Sequence, residues 1–307
     1  FDALARDVAA YQAARDGGLT DRLRAHPDDV PAVPVALFKQ LAVGTVPPED
    51  PTATVFRTSG TTKAGRGVHR MRDASLYEHG AVTWAVACLG RVEPDVVALL
   101  EDPRTAPDSS LSHMIATFGA RFARRTSWHV HDGALDRGSL AARLAGLAGP
   151  AFVASTAFAL AYWLRHDVAT LPAGSTLMVT GGFKGRVLDV DGDALLADAG
   201  RRLGCRVVTE YGMTELSSQL WGTPTTPYRA PPWLRVTAVD PWSGVAVPAG
   251  QHGQLRFLDL CNVDAAVHVE TLDHGVVHDD GSVTLLGRLP GAEIRGCSIP
   301  LEAVLLR

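Results

Sequence analysis
The sequence predicts an α/β protein carrying a β-rich second lobe, and three observations support that prediction. From residue 73 to 168, helical patterns alternate with short, continuously apolar runs, as in strands of a buried parallel sheet. After Trp221, prolines and glycines punctuate short β-prone runs every ten or so residues. The composition, 46% hydrophobic and 20% charged over 307 residues, is globular, with enough chain for a sizeable core.

Taken in order, Leu4, Val8, Tyr11 and Ala14 space the apolar face of an opening helix, which Gly17 and Gly18 stop. Pro27, Pro31 and Pro34 force an extended passage into Val35-Ala36-Leu37-Phe38. A second break over residues 47–51 precedes a β-prone run at 53–57, which empties into a loop of small residues. Residues 96–100, 151–154 and 175–180 read as buried strands. A helix at 194–203 and a strand at 206–209 follow. Short strands at 234–239, 253–257, 276–278 and 283–286 make up the β-rich lobe. The expected division is an α/β nucleotide- and acyl-binding core at 1–222, a β-rich lobe at 223–290 completing an ATP site, and a hinge remnant at 291–307.

Twenty-nine basic against 33 acidic side chains leave a formal charge of −4, which argues against a broad nucleic-acid surface. No run approaches the ~20 uninterrupted apolar residues of a membrane helix. Asp2, Arg6 and Asp7 stand where a signal peptide would be apolar. Cys88, Cys205, Cys261 and Cys297 form no Cys-X-X-Cys pair and read as reduced thiols of a cytoplasmic protein.

The chemistry concentrates in four segments. Thr58-Ser59-Gly60-Thr61-Thr62-Lys63-Ala64-Gly65-Arg66-Gly67 follows a strand, and such a loop suits phosphate: glycines admit the backbone, hydroxyls donate, and Lys63 and Arg66 add charge. It lacks the spacing of a Walker A loop. Tyr211-Gly212-Met213-Thr214-Glu215 puts an aromatic face, a hydroxyl and a carboxylate within five residues, fit to stack a base, touch a phosphate and hold a metal ion. Asp273 lies at a strand end, where it could bond a ribose diol, and Gly287-Arg288 closes the next hairpin. Each also has a plainer reading: a turn, a helix cap at Glu215, a turn acid at Asp273, a surface charge at Arg288.

In this order, Thr58-Ser59-Gly60-Thr61-Thr62, Gly181-Gly182, Tyr211-Gly212-Met213-Thr214-Glu215, Asp273 and Gly287-Arg288 resemble the signature motifs of the adenylate-forming superfamily, which includes acyl-CoA synthetases and adenylation domains. Val33-Pro34-Val35-Ala36-Leu37-Phe38-Lys39 and Gly181-Gly182-Phe183-Lys184 look most like its acyl-protein synthetase branch, named for bacterial bioluminescence. The resemblance implies the large N-terminal core of such an enzyme, using ATP and Mg²⁺. Ser59, Thr61, Thr62 and Lys63 would cradle the outer phosphates. Gly181, Gly182, Tyr211 and Gly212 would border the adenine, and Thr214 would contact the α-phosphate. Glu215 would help hold Mg²⁺, and Asp273 with Arg288 the ribose hydroxyls. The implied reaction is activation of a fatty or aryl carboxylic acid to an acyl-adenylate with release of pyrophosphate. Transfer to a carrier protein, another protein's thiol or amine, or CoA would follow. A phenylacetate-type aryl-CoA ligase and a catalytically impaired nucleotide-binding protein are the alternatives.

Three departures mark this sequence. Lys63 replaces the loop's usual glycine and Arg66 its lysine; Leu289-Pro290-Gly291 stands at the hinge; and the mobile C-terminal lobe with its lysine is expected to be absent. Lys184 is then the candidate stand-in catalytic lysine. Among smaller signals, His129-Val130-His131 has metal-ligand spacing without a third ligand, and reads rather as polar residues at a strand end. His69 follows the loop closely enough to approach phosphate, but reads first as a plain loop histidine. Cys297 reads as a small buried residue, and Trp84, Phe158, Trp163 and Trp221 as core. Residues 154–160 are small and apolar, with no carboxylate to pair a substrate amine.

Overall fold
The computed structural model describes residues 1–15, 31–59, 65–90, 94–166, 170–181 and 191–288. Along the chain these form α1 (Asp2–Ala13), β1 (Val33–Pro34), a 3₁₀ turn (Val35–Lys39), β2 (Thr54–Arg57), β3 (Val68–Met71), α2 (Ser75–Leu89), β4 (Asp95–Glu101) and α3 (Ser110–Phe122). Next come β5 (Arg125–His131), β6 (Ala134–Leu135), α4 (Arg137–Ala145), β7 (Ala151–Thr156), α5 (Ala157–His166), β8 (Thr176–Thr180), α6 (Gly192–Leu203) and β9 (Arg206–Tyr211). The last six strands are β10 (Leu220–Thr223), β11 (Thr226–Arg229), β12 (Leu234–Val239), β13 (His252–Asp259), β14 (His268–Val277) and β15 (Val283–Arg288). The chain divides into two compact units, each discontinuous in sequence.

One unit comprises residues 82–211 and 221–228. Its centre is a parallel sheet in the order β5-β4-β7-β8-β9, with β6 antiparallel on the outer edge of β5 and β10 and β11 following β9. The apolar runs of the sequence become these strands because both sheet faces are covered: all six residues of β7 are buried, as are Val96, Val97, Ala98 and Leu99 of β4. Helix α5 packs nearly all round, with Trp163 fully buried among Leu160, Leu164 and Leu203. Helix starts are set by side-chain caps: Ser109 accepts from the Ser112 N–H (3.2 Å), Asp136 from Ser139 (2.9 Å) and Asp191 from Asp193 (3.0 Å). Gly204 closes α6 at φ +64°, a left-handed position that favours glycine.

The other unit contains residues 1–81, 212–220 and the described residues from Arg229 onward. Here β12-β13-β14-β15 form an antiparallel sheet, β1 adds in parallel at Val269 and Glu270, and β2 and β3 form a separate hairpin. The extended passage ends in β1 at Val33–Pro34, and residues 35–39 then tighten into the 3₁₀ turn, burying Val35 and Phe38. The face of α1 also differs from expectation. Leu4 is 50% exposed, whereas Ala5, Val8 and Gln12 face inward. Ala5 and Val8 pack on Leu258, Leu260 and Val267, and small Ala5 permits the close approach. The Gln12 amide donates to the carbonyls of Asn262 (3.2 Å), Val263 (3.1 Å) and Ala265 (2.6 Å), so a polar side chain belongs to the buried stripe. Gly44, at φ +118°, lies so near the same turn that a Cβ there would be 2.2 Å from the Asp264 carbonyl oxygen.

Candidate active site
The small-residue loop leaves β2 and returns through β3, and its neck is double-bonded. The Thr58 N–H donates to the Gly67 carbonyl (2.9 Å), and the Gly67 N–H donates to Thr58 Oγ1 (2.8 Å). Arg66 folds back onto this neck, its Nε donating to the Thr58 carbonyl (2.6 Å) and a terminal nitrogen to that of Arg57 (3.2 Å). Its charge was expected to serve the loop; part of its donor capacity serves the loop's closure instead. Ser59 is exposed at the loop's entry, while Thr61, Thr62 and Lys63 lie outside the described residues.

The neck meets the Tyr-Gly-Met-Thr-Glu segment, about 150 positions away in sequence. Gly67 packs so closely on Glu215 that an added Cβ would be 3.4 Å from Glu215 Oε1 and 3.0 Å from the Thr58 methyl. The Glu215 side chain is 1% exposed. Its turn is gripped from several directions. His69 Nδ1 is 2.6 Å from the Thr214 carbonyl oxygen, and Asn262 Nδ2 donates to that of Glu215 (2.9 Å). Asp259, fully buried, accepts from the Ser217 N–H (2.9 Å), Ser218 Oγ (2.7 Å) and the Cys261 N–H (3.0 Å). Burial pushes the Asp259 carboxyl up, against the pull of these bonds. Asn262 also accepts from Ser217 Oγ (2.5 Å), and Trp233 Nε1 donates to Ser218 Oγ (3.0 Å). Thr214 is half-buried.

In the same unit β14 and β15 align Asp273 opposite Arg288, and Arg288 Nε donates to Asp273 Oδ1 (2.9 Å). The sequence listed these two as partners at one subsite, and the register brings them into contact. Gly287, at φ +123°, takes the backbone through the adjoining bulge.

In the parallel-sheet unit, β8 ends at Thr180, followed by Gly181 at φ +95°; no described atom lies within 4 Å of where its Cβ would be. Gly182 and Lys184 lie outside the described residues. Tyr211 ends β9, half-buried and edge-on to Tyr228 with ring centres 6.2 Å apart, and Gly212 begins the next turn. Beside it lies Glu210, which sequence reasoning missed. Thr156, Thr180 and Glu210 are in register across the carboxyl ends of β7, β8 and β9, and all three are buried. The Glu210 carboxyl, 5% exposed, accepts a short hydrogen bond from Thr180 Oγ1, and burial pushes its pKa up to about 7. The carboxyl ends of parallel strands are where open α/β sheets bind ligands. An acid in the last buried positions of a strand was the available signal.

His129 is not presented to a metal. It is buried between Ser139 Oγ (2.8 Å from Nδ1) and Ser127 Oγ (3.0 Å from Nε2), and burial lowers its pKa to about 4, whereas His131 is exposed. Among the described residues no group of three His, Cys, Asp or Glu side chains could hold a metal ion, and no helix is long and apolar enough to cross a membrane. The oxygen donors at the neck, Glu215 and Thr58 beside a glycine that leaves them room, suit a hard cation that takes its remaining ligands from phosphate or water.

No protein-family model and no curated protein sequence matches the chain. Solved structures do match in fold. O-Succinylbenzoate coenzyme A synthetase (MenE) from Bacillus subtilis, in complex with ATP and a magnesium ion, aligns with 83% of this chain and 56% of its own, at TM-score 0.57 and 16% identity. The same enzyme with its acyl-adenylate intermediate aligns with 77% and 49%, at TM-score 0.56 and 17% identity. ATP-bound MatB from Rhodopseudomonas palustris aligns with 76% and 47%, at TM-score 0.56 and 16% identity. The chain spans about half the length of the solved structures it matches. At this identity the likeness is one of fold: the chain has the mixed α/β architecture of the N-terminal domain of adenylate-forming enzymes.

Proposed function
We propose that the chain is the core of an ATP- and Mg²⁺-dependent ligase that activates a carboxylic acid as its acyl-adenylate and then passes the acyl group to a thiol or amine. The observation that supports this most directly is the packing of the loop neck at Thr58 and Gly67 against Glu215, which joins a phosphate-type loop to a carboxylate suited to a cation. The fold likeness to ATP-bound and acyl-adenylate-bound synthetases supports it independently.

In this reading Ser59, Thr61, Thr62 and Lys63 hold the β- and γ-phosphates, while Gly181, Gly182 and Gly212 border the adenine and Tyr211 stacks on it. Asp273 and Arg288 orient the ribose. Thr214 bonds the α-phosphate, and Glu215 with Thr58 would hold Mg²⁺, which supplies charge neutralisation on the phosphates. The substrate carboxylate oxygen forms a bond to the α-phosphorus as the bond to the β-phosphate oxygen breaks, and pyrophosphate leaves with those electrons. The nucleophile is already an anion, so no general base is required. Rate depends on alignment and on cations, with Lys184 our candidate stand-in for the lysine that contacts the α-phosphate and the substrate carboxylate. We assign the acid to the fatty or aryl class because residues 154–160 are small and apolar. We assign the acceptor to a protein, as in the acyl-protein synthetase branch, and the setting to the cytoplasm.

ATP–pyrophosphate exchange against a panel of fatty, aryl and amino acids tests the reaction. Exchange that needs one acid class and Mg²⁺ supports it; ATP binding without exchange for any acid, with the C-terminal lobe of a full-length synthetase supplied, overturns it. AMP release that depends on CoA would replace the protein acceptor with CoA.

A further inference from the structure
The strand that leaves the loop neck turns one residue type inward against its pattern. Gly67, His69 and Met71 alternate onto the buried side of β3, and Met71 shows what that side accepts elsewhere, an apolar chain. His69 is nonetheless an imidazole at 1% exposure, edge-on to Phe38 with ring centres 6.4 Å apart. A carbonyl oxygen only accepts, so the 2.6 Å contact with Thr214 requires a proton on Nδ1. Burial pushes the ring's pKa down to about 4, so at neutral pH Nε2 carries a lone pair. That Nε2 is fully buried and has no hydrogen-bond partner among the described residues. A phenylalanine would fill the same space and leave no orphan acceptor. The imidazole is therefore kept at a cost, and the one thing it does that an apolar ring cannot is to donate Nδ1–H to Thr214.

We infer that His69 is a positioning residue, which fixes the Thr214–Glu215 peptide through its Nδ1–H and so sets the placement of the Thr214 hydroxyl and the Glu215 carboxylate relative to the loop neck. Two consecutive carbonyls are then fixed from different parts of the unit, Thr214 by His69 and Glu215 by Asn262. With the carbonyls of two consecutive peptide units held, rotation of the backbone on either side of Glu215 is restrained, and the two functional side chains are held with it. The catalytic consequence rests on the adenylation reading; the positioning itself does not.

Three substitutions separate the roles. His69→Asn places an amide donor near the Nδ1 position. His69→Gln places it near Nε2 instead, and His69→Phe keeps shape without a donor. The first readout is amide hydrogen exchange over residues 213–217 in the full chain. Expected is faster exchange, by about tenfold, in His69→Phe and His69→Gln, with His69→Asn close to wild type. The second readout is ATP–pyrophosphate exchange, where the same two variants should lose about 10- to 100-fold in kcat/KM, mainly in kcat, with recovery in His69→Asn. Unchanged protection over 213–217 in His69→Gln overturns the inference whatever the turnover. Should His69→Phe fail to fold, the Asn and Gln pair still decides. Loosening of 213–217 in a protein that exchanges pyrophosphate with no acid sustains the positioning role and removes the adenylation reading.

Discussion
Two regions bury carboxyl groups, and they treat them differently. Around the Thr214–Glu215 turn, the Asp259 carboxylate accepts from Ser217, Ser218 and Cys261, while Asn262 and His69 fix neighbouring carbonyls. At the carboxyl ends of β7, β8 and β9, the Glu210 carboxyl has one hydrogen bond among the described residues, from Thr180. The first arrangement surrounds its acid with donors that pull against the burial raising its pKa; the second gives its acid one such donor, and burial carries its pKa to about 7. A hydrogen-bonded carboxylate holds a shape, and a poorly solvated carboxyl responds to pH.

The largest effect is expected from removing the well-supported acid. Asp259→Ala leaves three buried donors without an acceptor and should lower stability by on the order of 4 kcal/mol, read as the shift of the urea midpoint. Asp259→Asn, which keeps an acceptor, should cost clearly less; equal losses would mean that the hydrogen bonds contribute little.

Glu210 sharpens the contrast through pH. Its folded pKa, about 7, lies above its ordinary value of 4.5, so the folded state binds the proton more tightly. The stabilisation is full below pH 4.5 and is lost as pH rises to about 7, a change of about 3 kcal/mol. Melting temperature should therefore fall between pH 5 and 8 in the wild type and fall less in Glu210→Gln. His69 has the opposite sign. Its folded pKa of about 4 lies below 6.5, so stability present above 6.5 is lost as pH falls toward 4. His129 acts in the same direction. The two windows overlap between about pH 4.5 and 6.5, so Glu210→Gln should steepen the loss of stability with acid over that range and leave it unchanged below pH 4.5.

The smallest effect is expected from Thr180→Val, which removes Glu210's hydrogen-bond donor and should cost about 1 kcal/mol at pH 8. At pH 5, where Glu210 is protonated, the cost should shrink. A cost independent of pH would show that Thr180 matters for packing rather than for the carboxyl.

Elements whose partners are their sequence neighbours were readable. The apolar runs at 96–100, 151–154 and 175–180 became β4, β7 and β8, and 234–239 became β12 residue for residue. Elements that depend on a distant partner were not. The face of α1 is chosen by a turn some 250 positions later, which takes Ala5 and Gln12 rather than Leu4. Nothing local distinguishes Asp259 from a surface acid, or His69 from a loop histidine, because their roles come from hydrogen bonds to Ser217 and Thr214. The motif residues Thr214, Glu215, Asp273 and Arg288 were visible by type and spacing; the side chains that hold Thr214 and Glu215 in place were not.

The docking of α1 onto residues 258–267 also orders events during synthesis. Helix α1 is made well before the strands it packs on, and the partner of its apolar stripe arrives some 250 residues later, roughly 10 to 50 s at ~5–20 residues per second. Residues 82–211, with the five parallel strands, are complete well before then. The nascent chain therefore carries α1 uncovered for that interval, and the turn that arrives to cover it is the same one that grips Glu215.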